Sequence, residues 1–71
     1  MILCRATVEV IQPPTPHRIG RFEVIVMGDA PHDYMRTYRI EAKSDSLAAR
    51  QGIDRFVDEI SALTADSAGI D

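Results

Sequence analysis

Three segments of this chain alternate between apolar and polar residues, and a fourth repeats its apolar residues every three or four positions. These two periods are those of a half-buried strand and of an amphipathic helix, so the order of elements follows directly. In residues 4–11, Cys4, Ala6, Val8 and Val10 alternate with Arg5, Thr7 and Glu9; in 21–27, Phe22, Val24 and Val26 alternate with Arg21, Glu23 and Ile25. In 35–43, Tyr38, Ile40 and Ala42 alternate with Arg39, Glu41 and Lys43. Each segment has one apolar and one largely polar face, which belongs to an antiparallel sheet covered on one side. From Ser46 to Leu63 a stripe of Ala49, Ile53, Phe56, Val57, Ile60 and Leu63 suits the bare face of that sheet. The predicted fold is α+β: a three-stranded antiparallel sheet in sequential order, with one C-terminal helix packed on one face.

The connections agree. Pro13, Pro14 and Pro16 have no amide proton for a ladder, so 12–19 is predicted to leave the sheet as a stiff hairpin loop. Gly28 and Pro31 punctuate the second turn. Ser44 or Asp45 can cap the helix. Gly52, inside the helix, costs about 1 kcal/mol relative to Ala and is expected to permit close approach to the domain's own sheet. Residues 1–63 are read as a single domain and 64–71, which lack a hydrophobic period, as a flexible tail.

Charge suggests a register, because opposite charges across strands help by roughly 0.2–1 kcal/mol and like charges destabilise. Setting Glu9 beside Arg21 and Arg21 beside Glu41 places Thr7, Glu23 and Arg39 in the next row. The apolar face then stacks Val8, Phe22 and Ile40, followed by Ala6, Val24 and Tyr38.

Seventy-one residues make one core. No apolar run approaches the roughly 20 residues of a spanning helix, and the first residues have neither a basic leader nor a small-residue cleavage site. With Cys4 as its one cysteine the chain has no internal disulfide, so a cytoplasmic protein is expected. The net charge of −3 modestly disfavours nucleic acid. Residues 1–43 carry six basic and five acidic groups, and 44–71 carry two basic and six acidic.

Few residues are left for chemistry. Cys4, His17 and His32 lack metal-ligand spacing, and Ser44 and Ser46 are explained by capping. Asp58 and Glu59 are neighbours, yet on a helix they diverge by about 100°. The expectation is therefore a protein with no enzymatic activity, no catalytic residues, no metal and no cofactor. Two surfaces remain as binding candidates. Asp54, Asp58 and Glu59, with Asp66 and Asp71 beyond, place negative charge toward the helix C-terminus, where the dipole disfavours it; they are predicted to meet a basic protein partner. Arg50 and Arg55 sit among these acids. Arg5, Arg21, Arg39 and Lys43 on the outer sheet face are the alternative, a nucleic-acid surface, although Glu9, Glu23 and Glu41 interleave with them. Ile25 and Met27, with Ile11, put apolar residues on this same face. A homodimer or a larger partner would add stability to so small a core.

The succession Ala-Thr-Val-Glu-Val-Ile, Gly-Arg-Phe-Glu-Val-Ile-Val and Tyr-Arg-Ile-Glu-Ala-Lys-Ser-Asp, followed by an Ala-containing helix, resembles small phage-encoded inhibitors of host defence, among them some anti-CRISPR proteins. The resemblance covers residues 6–60 and is one of pattern and length. It implies a non-enzymatic inhibitor that occludes a basic surface of a host nucleic-acid-handling complex in the host cytoplasm. The same order of elements also resembles the arm-type DNA-binding domain of phage integrases, which implies DNA binding by the sheet. The chain departs from that pattern in its negative charge and in the glutamates on its sheet face.

Overall fold

The computed structural model describes residues 2–68, with side chains as far as Leu63. Strands β1 (Cys4–Gln12), β2 (Gly20–Gly28) and β3 (Met35–Ala42) are followed by helix α1 (Asp45–Ala68). The sheet is antiparallel in the order β1-β2-β3, and α1 packs across all three strands on one face. The fold is the α+β arrangement that the two periodicities predict.

The core lies between β2 and the helix. Phe22, Val24 and Val26 from β2 meet Ile40 and Ala42 from β3 and Ala48, Phe56 and Ile60 from α1. The most deeply buried helical positions are therefore Ala48, Gly52, Phe56 and Ile60, spaced by four. This row is turned slightly from the predicted stripe: Ala49, Ile53 and Val57 are half-buried and Leu63 is exposed. Gly52 explains the turn. A Cβ there would stand 2.5 Å from Val24 Cγ1, so the absent side chain lets the helix backbone rest on the central strand. Ser44 is the cap, its Oγ accepting from the Leu47 amide at 3.2 Å, while Asp45 Oδ1 accepts from the Ser46 amide. The helix runs on to Ala68 rather than stopping at Leu63, because no Gly or Pro interrupts 64–68. Whether 64–71 behaves as a tail rests on side chains from Thr64 onward and on residues 69–71, which lie outside the described residues.

The β2–β3 register is as predicted, with Arg21 opposite Glu41, Phe22 opposite Ile40 and Glu23 opposite Arg39. The β1–β2 register is not. Strand β1 is displaced by two residues, so Val8 faces Val24, Ala6 faces Val26 and Glu9 faces Glu23 rather than Arg21. Turn geometry decides this. Thr15 and Arg18 bridge with bonds of 2.9 and 3.3 Å, closing a tight tip around Pro16 and His17. Counting outward from the tip brings Gln12 to Arg21; a bulge at Ile11 then sets Val10 opposite Phe22. One cross-strand ion pair is too weak to overrule a closed hairpin. The shift by an even number leaves each side chain on its predicted face.

Candidate functional site

Helix α1 covers one face of the sheet and leaves the other, the outer face, bare. Reading across the strands, that face begins with Arg5, Met27 and Met35, continues with Thr7, Ile25 and Thr37, then Glu9, Glu23 and Arg39, and finishes with Arg21 beside Glu41. The Asp29 amide donates to the Leu3 carbonyl at 2.8 Å, which keeps Leu3 in register beyond the strand and extends the alternation to it. The outer face thus divides in two. At one end Leu3, Met27 and Met35 are exposed by 59, 41 and 61%, with Ile25 half-buried beside them. At the other end charges pair, Arg21 Nε lying 3.4 Å from Glu41 and Arg39 Nε 3.9 Å from Glu23, and Ile11, 52% exposed, stands alone among them as the apolar residue predicted there.

The cations of the nucleic-acid alternative are largely engaged. Arg21 and Arg39 hold these carboxylates, and Arg5 lies 3.5 Å from Asp29. Lys43 stands apart from them. It lines a cleft of about 420 Å³ with Thr15, Pro16, His17, Arg18 and Ile19 of the hairpin arm. Among the described residues neither Lys43 nor Arg18 makes an ion pair. No sequence pattern marks Arg18, because it lies in the turn and the turn geometry brings it to the same cleft as Lys43.

The three acids predicted to meet a partner do not form one patch. Asp54 and Asp58 are exposed one turn apart. Glu59 points instead to β3, where its carboxylate takes hydrogen bonds from Arg36 Nε and, at 3.2 Å, from the Tyr38 hydroxyl. The Arg55 guanidinium lies over the Tyr38 ring at 5.7 Å, and that of Arg36 lies over Tyr34 at the same distance. Burial pushes the Tyr38 hydroxyl above its ordinary pKa, and the charge and hydrogen bond of Glu59 add to this, while Arg36 and Arg55 act in the opposite sense. Glu59 thus fastens the helix to an edge strand. Its partners lie more than twenty residues away in sequence, so no local pattern announces them. Asp66 and Asp71 fall outside the described side chains.

Cys4 is half-buried against the core, His17 is exposed at the arm's tip and His32 lies in the second turn. Among the described residues no three His, Cys, Asp or Glu side chains are grouped to hold a metal, and no helix is long and apolar enough to cross a membrane.

Fold and surface together define a small α+β protein with one open sheet face. Comparison with protein-family models, with curated proteins and with solved structures found no match.

Proposed function

We propose that this chain is a non-enzymatic interaction protein that binds a protein partner through the apolar end of its outer sheet face. The observation that carries this reading is the clustering of Leu3, Met27 and Met35 on the face the helix leaves bare. Apolar side chains gathered at one end, rimmed by paired charges, are the usual anatomy of a protein interface. The narrower reading, an inhibitor that occludes a basic surface of a nucleic-acid-handling complex, draws on Asp54 and Asp58, since Glu59 is held by Arg36 and Tyr38. Direct nucleic-acid binding draws on Lys43 and Arg18 at the arm cleft.

Capture of binding partners from a nuclease-treated bacterial lysate separates these readings when wild type is compared with three variants. Leu3→Asp/Met35→Asp should lose a protein that wild type retains, while Asp54→Lys/Asp58→Lys and Arg18→Glu/Lys43→Glu keep it. Loss confined to the Asp54 and Asp58 variant would transfer the site to the helix. Loss confined to the Arg18 and Lys43 variant, with recovery sensitive to nuclease, would replace the reading with nucleic-acid binding.

A further inference from the structure

The edge of β1 carries a pattern that the monomer does not use. Antiparallel strands alternate between bonded and non-bonded pairs, and the bond from the Asp29 amide to the Leu3 carbonyl fixes which is which. Odd-numbered Arg5, Thr7 and Glu9 direct their backbone groups to β2. Those of Cys4, Ala6, Val8 and Val10 therefore point outward along an open edge. On the core face of this edge Cys4, Ala6 and Val8 are only half-buried, and Val10 is 51% exposed although it pairs with the buried Phe22. On the outer face Glu9 has another acid, Glu23, as its cross-strand neighbour. Arg39 serves Glu23 from the far side, and among the described residues Glu9 has no ion-pair partner.

We propose that the β1 edge is the docking surface for a second copy of this chain, the two β1 strands pairing antiparallel about a two-fold axis at Thr7. In that register Arg5 of each copy stands opposite Glu9 of the other, and its guanidinium, which in the single chain makes only an exposed 3.5 Å contact with Asp29, turns to the unpartnered carboxylate in both rows. Ala6 then pairs with Val8 and Cys4 with Val10, and these are the residues whose amides and carbonyls face outward, so the hydrogen-bond phase is also satisfied. Neighbouring two-fold registers fail on charge. Centring on Ala6 sets Arg5 against Thr7 and leaves Glu9 against Leu3; centring on Val8 sets Arg5 against Ile11. The paired segment ends where the bulge at Ile11 breaks the strand.

A two-fold axis normal to the sheet keeps both helices on the same face and makes a continuous six-stranded sheet. Val10 of each copy is then covered beside Cys4 of the other. On the helical wheel Ile53 and Val57 lie on the flank opposite Glu59 and Arg55, toward the seam, and both are half-buried in the single chain. The dimer doubles the outer face without covering it, so this assignment stands or falls independently of a partner for Leu3, Met27 and Met35. An open strand edge is otherwise a template for uncontrolled pairing, and closing it symmetrically removes that hazard.

Sedimentation velocity over a range of concentrations tests the assignment. Wild type should show a reversible monomer–dimer equilibrium. Arg5→Glu and Glu9→Arg should each raise the dimer dissociation constant on the order of tenfold or more, because two rows change from attraction to repulsion. Arg5→Glu/Glu9→Arg together restore opposite charges in both rows and should bring it back to within about threefold of wild type. Both side chains are exposed, and circular dichroism checks that each variant retains the fold. A chain monomeric at every concentration would overturn the proposal. So would a double variant as weak as the two single effects combined.

Discussion

At the β3 edge, Arg36 projects from the core side of the strand, binds Glu59 of the helix and donates through Nη1 to the Met35 carbonyl at 2.9 Å. Tyr38 joins the same carboxylate, and Arg55 closes over its ring. The bond from the Gly28 amide to the Tyr34 carbonyl makes the even-numbered residues of β3 those that face β2. The Met35 carbonyl therefore points outward, and Arg36 occupies an acceptor that another strand would need. A charge held on the inner side of an edge strand is a common way to prevent further pairing. Among the described residues the β1 edge has none of this. Its inner side chains are small and apolar, its outward backbone groups are open, and its outer row offers Arg5 and Glu9 at the spacing that answers itself in a second copy. A small sheet can thus close one edge from within and leave the other open.

The largest effect should come from the element both edges depend on. Phe56 is fully buried against the central strand. Phe56→Ala should lower stability by about 3–5 kcal/mol, read from urea denaturation, and both edges should lose amide protection together. A smaller and one-sided effect is expected of Glu59→Ala, which removes the acceptor of Arg36 and Tyr38. Because those groups are partly exposed, the loss should be about 1 kcal/mol, with faster amide exchange in β3 and none in β1. Equal change at both edges would show that Glu59 does not fasten β3 in particular.

The smallest effect concerns pH. Tyr38 keeps its proton more tightly in the folded chain than the ordinary value of 10.0 would give, chiefly through burial and then through Glu59. The folded pKa is raised, so the contribution of the neutral phenol is complete below pH 10 and is lost as pH rises through the folded value. Stability should decline in that alkaline range, and Tyr38→Phe should make the decline shallower. Parallel denaturation curves for wild type and variant at pH 8 to 11 provide the check.

Much of this architecture is legible in the sequence, for reasons that differ by element. The alternation of Phe22, Val24 and Val26 and the spacing of Phe56 and Ile60 give the order of elements and the face each buries. The charges of Arg21, Glu23, Arg39 and Glu41 give the β2–β3 register. They fail for β1 because the bond between Thr15 and Arg18 closes the arm two residues out of step with the charge pattern. Ala48 and Gly52 belong to the buried row although neither stands out by hydrophobicity; at Gly52 the absent side chain lets the helix backbone meet Val24. The candidate site was half legible. Ile25 and Met27 mark the outer face, but Leu3 and Met35 join them only through the register. Asp54 and Asp58 stay on the surface as their helical positions require. Glu59 does not, because its place is set by Arg36 and Tyr38 from a distant strand.

The most direct test compares the two edges at equivalent positions. Thr7 and Thr37 both lie on the outer face opposite Ile25, one on each edge strand. About the proposed axis, Thr7 meets its own counterpart as a non-bonded pair with Cα atoms about 4.5 Å apart, within disulfide reach. In a Cys4→Ser background, Thr7→Cys should oxidise to a covalent dimer at low protein concentration, while Thr37→Cys should remain monomeric under the same conditions. Cross-linking at both positions alike, or at neither, would contradict the distinction between an open and a closed edge.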